Sequence, residues 1–448
     1  MKRILLLALC AFVAGSVGAR TLYVDASRPN NNGNGRSAKT AKKTIQAAIN
    51  IAKSGDTIVV APGTYSTIST KNKNLKIKGK KGSSKTTIRS TSYGGCVAKL
   101  GKEWSHKYTR TYQSSGGGGE RTYTYTVKSG SQTKGTKTKV SGFTVDGSSG
   151  SPEICVSGGT LTSCVIAGHH MDYQTQASTV YGAKLTGCTI RDCGYGFDYS
   201  DNGYSIDNST LNRCKILNND YSDYEPSSPC QSSKFYNCLF AVNRKVSLKS
   251  CMLMNCTVAD NTGTPAQSNK VGPGFRMSKT KAYNTIFNGV DASQFTKAKK
   301  NTLKNCYKGS NPKFVSTKTK TTTWVADRDG QTSRIIGAEV YWDRLDNEGN
   351  WLEDGYVTVS GTTDSAILVA AKKEVGKPNA TYTIADYDYE YGDYKTVLDP
   401  GDYHLKKGSP CINKGKLTAA QKKAVGKKDL AGKKRIKGKS VDIGCYEF

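Results

Sequence analysis

Beyond its first nineteen residues this chain of 448 has no long apolar run, which excludes a membrane-spanning helix from the rest of it. Histidine is scarce, with four in all. None of the fourteen cysteines forms a CxxC pair or stands with histidine at zinc-ligand spacing, which excludes ribbon and finger sites. Hydrophobic residues make up only 36%, against forty-seven glycines, which suits a thin, turn-rich core better than a thick globular one. Acid is deficient too: 35 Asp and Glu face 66 Lys and Arg, a formal charge of +31. Helical 3.6-residue periodicity is missing from the middle of the chain, and leucine is too sparse there for leucine-rich repeats.

What is present is a short motif that keeps returning. Leu161-Thr-Ser-Cys-Val-Ile166 comes back as Leu185 to Ile190, Leu211 to Ile216, Phe235 to Phe240 and Leu253 to Val258. Weaker copies begin at Val140, Ala282 and Leu303. The shared position falls at Phe143, Cys164, Cys188, Cys214, Cys238, Cys256, Thr285 and Cys306, with gaps of 21, 24, 26, 24, 18, 29 and 21 residues. Such a unit with drifting length marks a solenoid whose insertions fall in loops. Each Cys and the apolar residue two places on share a strand face, whereas the Leu three places earlier has the opposite parity. Both point inward only if the chain turns a corner between them. Strand, corner and strand, closing after some twenty residues, describe one coil of a single-stranded parallel β-helix, an all-β fold. Cys164, Cys188, Cys214, Cys238 and Cys256 are then a buried ladder. Their parallel Cβ vectors suit a disulfide badly, so they read as free thiols packed as small hydrophobes.

Residues 1–19 read as a secretory signal: Lys2-Arg3, an apolar stretch from Ile4, and Val17-Gly-Ala19 before cleavage. The mature chain is therefore expected outside the cell or at a bacterial surface, with no membrane span and as a monomer. Charge is unevenly distributed. Residues 321–403 carry a net −9, which leaves +40 on the rest. A surface that basic attracts polyanions, namely acidic polysaccharide or envelope glycan, with DNA only an incidental ligand. The plainer account is that lysine and threonine keep an exported protein soluble.

In order, residues 20–65 read as an amino-terminal cap and first strand, with an amphipathic helix over 41–53. Coils fill 66–315, interrupted at 101–137 by a protruding hairpin rich in Thr, Tyr and Gly. Tyr108 and Tyr112 share one strand face there, and Tyr123 and Tyr125 another. They offer an aromatic strip for stacking on sugar rings, or else tyrosines that pack on the solenoid wall. Residues 316–402 read as an inserted, acidic, β-rich unit whose Trp324, Trp342 and Trp351 form a local core or a sugar platform. Residues 403–448 close the fold.

The two ends carry a resemblance. Gly55-Asp-Thr-Ile-Val-Val-Ala-Pro-Gly-Thr-Tyr65 after a helix looks like the opening of secreted right-handed β-helix proteins of the pectate-lyase-like superfamily. Gly408-Ser-Pro-Cys-Ile-Asn-Lys-Gly415, Asp429 to Arg435 and Asp442-Ile-Gly-Cys-Tyr-Glu447 resemble the closing motif of choice-of-anchor Q β-helix proteins of bacterial surfaces. That family continues into an anchor segment where this chain stops at Phe448, so the resemblance does not carry surface anchoring. Closing strands at 409–413 and 441–447 would lie side by side, and Cys411 with Cys445 is the expected disulfide.

Candidate chemistry clusters at the corners after each Cys-x-Ile strand. His169, His170, Arg191 and Asp192 are the best local ingredients for a glycan lyase or hydrolase, because one coil should stack the histidines near Asp192. Most of this Asn- and Asp-rich row is ordinary corner chemistry. Neither the paired Asp of β-helix polygalacturonases nor a pectate-lyase Ca²⁺ and Arg set is present. Asp198, Asp201, Asp220 and Asp223 are oxygen ligands of the kind Ca²⁺ takes, if two of them meet; no other cofactor is implied. The balance falls on a non-catalytic, glycan-associated β-helix, with a polysaccharide lyase or hydrolase as the alternative.

Overall fold

The computed structural model describes residues 18–90, 94–101, 105–112, 121–128, 137–150, 152–171, 178–195, 204–219, 230–244, 246–261, 274–296, 299–326 and 332–448. Two compact units result: residues 1–318 with 400–448, and residues 319–399.

The larger unit is a right-handed parallel β-helix. Its strands stack into three parallel sheets of eleven, nine and eight strands, here called sheets A, B and C. Each full coil contributes one short strand to each. One coil runs Thr160–Thr162 (A), Val165–Ala167 (B) and Ser178–Tyr181 (C), and the next begins at Lys184–Thr186, in register on Thr160–Thr162. The parity change in the sequence is the corner between A and B. There the residue before each Cys is left-handed, with φ of 46° to 54° at Ser163, Arg213, Asn237, Asn255, Asn284 and Asn305. Asparagine takes that conformation at small cost, and glycine takes it at Gly142 and Gly187.

Inside, like residues stack on like. Val140, Leu161, Leu185, Leu211, Phe235 and Leu253 form one column on sheet A, and Val145, Ile166, Ile190, Ile216, Phe240 and Val258 another on sheet B. Between them the cysteines line the corner, buried and unbridged. Each Sγ faces the carbonyl two residues back: Thr162 from Cys164 at 3.5 Å, Asn212 from Cys214 at 3.5 Å, Tyr236 from Cys238 at 3.3 Å. Where the column holds Thr285, its Oγ1 donates to Tyr283 O at 3.0 Å. From Cys164 onward the position thus takes a small side chain whose donor adds a second contact to a carbonyl that already accepts a backbone N–H from the preceding coil; Phe143 fills it in the first copy.

The cap helix is Ile45–Ile51, shorter than the 41–53 expected, because Thr44 caps it by accepting from Ala47 N. Ile45, Ala48 and Ile49 cover the first coil.

The carboxy-terminal segment departs from expectation. Residues 409–413 and 441–447 form turns and bends, not strands, and they run along the flank of the last coils. The corner asparagines hold them there. Asn237, Asn255 and Asn284 donate from Nδ2 to the carbonyls of Val425 (2.8 Å), Asp442 (3.2 Å) and Lys416 (2.9 Å). The expected Cys411–Cys445 disulfide is not formed; both are buried free thiols. The register explains it: Ile443 N donates to Cys411 O, so Ile443 stands opposite Cys411, while Cys445 N is drawn to Thr257 Oγ1 on the coil. Arg435, 2% exposed, lies beneath this segment 3.8 Å from Glu447, and also donates to Gly444 O. Burial pushes the Glu447 carboxyl up to about 7, against the pull of Arg435.

The smaller unit is an antiparallel sheet of four strands, in the order Thr319–Ala326, Thr381–Asp399, Thr332–Leu345, Trp351–Ser360. Helix Asp364–Val375 packs on it through Ile367 and Ala371, against Ala338 and Val340. Trp351 is 63% exposed and Trp342 lies under the Lys377 ammonium, so aliphatic residues rather than these two tryptophans make this core.

Candidate functional site

The corner that follows sheet B does not assemble the predicted catalytic set. His169 is fully buried; its Nδ1 pairs with Thr179 Oγ1 at 3.0 Å and its Nε2 with Pro152 O at 2.7 Å. Its backbone does stack by the next coil, since Gly194 N donates to His169 O, but its ring points inward. His170 is placed in backbone only, opposite Gly194. Arg191 and Asp192 remain on the wall and pair with each other, and Asn218 Nδ2 donates to Asp192 Oδ1 at 2.7 Å. In later coils the His169 position passes to asparagine. Asn219 donates to Asn243 Oδ1, and Asn243 to Asn261 Oδ1, both at 2.9 Å. This column is an internal hydrogen-bonded ladder.

Asp198, Asp201, Asp220 and Asp223 lie outside the described residues. Among the described residues no three His, Cys, Asp or Glu side chains come together to hold a metal ion. The hairpin of the insert pairs Ser105–Tyr112 with Arg121–Lys128. Its register sets Tyr108 opposite Tyr125, Arg110 opposite Tyr123 and Tyr112 opposite Arg121, so all four tyrosine positions share one face with two arginines.

Two walls hold chemistry that the residue-by-residue reading missed. On sheet C, Lys99, Ser157, Tyr181, Asp207, Gln231 and Lys249 occupy one outward column. Burial pushes the Asp207 carboxyl up to about 6, and the neighbouring Tyr181 hydroxyl is raised by burial and then by Asp207. Aligning the strand ends Val180-Tyr-Gly182, Ile206-Asp-Asn208 and Leu248-Lys-Ser250 on their corners would have exposed this column.

Sheet A presents the other wall. Its outward positions form two columns. One runs Lys76, Lys139, Thr160, Lys184, Thr210, Lys234, Met252, Lys281, Thr302; the second, two residues on, runs Lys78, Ser141, Thr162, Thr186, Asn212, Tyr236, Met254, Tyr283, Lys304. Neither contains an acid. The lysines of the first column are all exposed and, among the described residues, none of them meets a carboxylate. At the last coils the wall runs into a cleft of about 380 Å³, lined by Tyr283, Lys304, Asn305, Lys416, Leu417, Thr418 and Gln421.

No protein-family model matches the chain, and no curated protein matches it. Solved structures do. A pectate lyase aligns over 97% of both chains at 12% identity and a TM-score of 0.37. An alginate lyase from a Paenibacillus species aligns over 65% of this chain and 98% of its own, at 12% identity and 0.24. The tailspike protein of an Acinetobacter phage aligns over 87% and 86%, at 11% identity and 0.26.

Proposed function

We propose that this chain is an exported β-helix protein of the choice-of-anchor Q type that binds acidic polysaccharide or envelope glycan on its walls without cleaving it. The observation that carries this reading is the sheet A face: an acid-free strip of lysines with tyrosine and threonine between them, ending in a cleft with two further lysines. Exposed cations of one sign raise the local concentration of a polyanion, and hydroxyl and aromatic groups beside them suit sugar rings. The non-catalytic part is supported by His169, whose two ring nitrogens are both engaged inside the coil, and by the mutual pairing of Arg191 and Asp192.

One observation favours the enzymatic alternative. Asp207, with its carboxyl near 6, is poised to exchange a proton close to neutral pH on a wall that also carries Tyr181 and Lys249. The deciding experiment incubates the mature protein with a panel of acidic polysaccharides and follows unsaturated-product absorbance, reducing ends and retention together. Retention that weakens steeply with salt, without products, is expected. Product formation that Asp207→Asn abolishes would overturn the non-catalytic reading.

A further inference from the structure

The first column of sheet A has a period that the sequence hides. From Lys139 onward lysine alternates with an uncharged residue: Lys139, Thr160, Lys184, Thr210, Lys234, Met252, Lys281, Thr302. Along the chain these lysines are separated by 45, 50 and 47 residues, with no common interval. In the fold each pair is two coils apart, hence roughly 9.6 Å at the usual strand spacing of about 4.8 Å. Four exposed lysines thus stand at backbone positions on a line parallel to the solenoid axis. The intervening coils present Thr160, Thr210 and Met252 at the same position, so the gaps are low in charge, not filled by acid.

A line of charges selects a polymer by matching its repeat. From ordinary bond lengths a pyranose unit spans on the order of 5 Å between its bridging oxygens, and a disaccharide on the order of 10 Å. We propose that the sheet A wall is a track for an extended, linear polysaccharide that carries one anionic group on every second sugar, laid along the solenoid axis with one disaccharide per two coils. A homopolymeric uronate, charged on every sugar, would leave alternate carboxylates over Thr160, Thr210 and Met252. The second column supplies Thr162, Thr186, Asn212 and Tyr236 as neutral hydrogen-bonding and stacking groups beside the track. The cleft at Tyr283, Lys304 and Lys416 continues it beyond Lys281.

This inference rests on the glycan-binding reading above, and the test separates the two. Hyaluronan, with one carboxylate per disaccharide, and polygalacturonate, with one per sugar, serve as probes for the full mature protein in low salt. The informative variant conserves charge: Lys184→Thr combined with Thr210→Lys moves one ammonium by one coil and breaks the two-coil phase. Both sites are outward positions on short strands, and an unchanged thermal melt verifies the fold. Hyaluronan affinity should drop by up to about fivefold, since one exposed charge pair contributes at most about 1 kcal/mol. Polygalacturonate affinity should stay within a factor of about two, because its denser charges meet a lysine in either phase. If both polymers respond alike, or neither responds although both are retained, the phase-matched track is refuted while glycan binding stands. If neither polymer is retained by the unaltered protein, the glycan-binding reading itself fails, and the track with it.

Discussion

Removing one rung of the asparagine ladder should weaken the solenoid far more than its single amide suggests. Asn243 is fully buried. Its Nδ2 donates to Ile216 O and to Asn261 Oδ1, both at 2.9 Å, and its Oδ1 accepts from Asn219 N at 3.1 Å and Asn219 Nδ2 at 2.9 Å. In Asn243→Ala the Asn219 backbone N–H loses its partner where water does not reach, and Ile216 O, Asn261 Oδ1 and the Asn219 side-chain amide each lose one of theirs. A stranded buried group costs about 1–3 kcal/mol, so the variant should lose on the order of 3–5 kcal/mol with the cavity included. Asn243→Asp should be at least as harmful near neutral pH, because an ionised oxygen would face Ile216 O and the Asn261 carbonyl oxygen. Urea unfolding followed by far-UV circular dichroism reads the effect. Tryptophan fluorescence would not, since three of the four tryptophans (Trp324, Trp342, Trp351) lie in the inserted unit. Coils contact only their neighbours, so a broken rung should also broaden the transition. A loss under about 1 kcal/mol with unchanged cooperativity would refute the argument, because a single stranded group alone should cost that much.

The remaining predictions concern the thiols and the closing segment. Burial holds the thiols of Cys193, Cys251, Cys411 and Cys445 up to about 12, so a thiol reagent at pH 8 should leave them unmodified until denaturant is added. Thirteen thiols, from Cys96 to Cys445, should then titrate; eleven would mean that a disulfide exists. Glu447 has a folded value raised by burial to about 7 from 4.5, so its contribution to stability is fully present below pH 4.5 and is lost as pH rises through 7. Glu447→Gln should flatten that part of the stability profile, and an undiminished slope in the variant would rule the residue out. Arg435→Ala should loosen residues 429–448, leaving three buried carboxylates short of their cation at a cost of about 3–5 kcal/mol, whereas Arg435→Met should cost markedly less. Limited proteolysis checks this: equal cleavage of both variants would show that the lost charge alone matters there and the filled volume does not.

The coil could be worked out from sequence because its determinants are local. Leu161, Cys164 and Ile166 recur at fixed offsets, and the change of parity between Leu and Cys demands a corner wherever the motif stands. Asn237, Asn255 and Asn284 likewise announce a left-handed backbone residue by residue. What the tertiary structure decided is everything that depends on which coil lies on which. Loops of unequal length separate neighbours in space by 18 to 29 residues, so no interval in the chain reveals that Lys139 and Lys184 share a line with one threonine between them. His169 and Asp207 show the same limit from opposite sides. Period two assigns a residue to a face within a strand, but a corner residue such as His169 has no strand parity, and its ring turned inward to Thr179 and Pro152. Asp207 belongs to an outward position, and only its neighbours in adjacent coils remove enough water to raise its carboxyl. The closing segment was recognisable as a unit, yet its place on the flank, and with it the separation of Cys411 from Cys445, came from hydrogen bonds between corner asparagines and backbone more than 130 residues away.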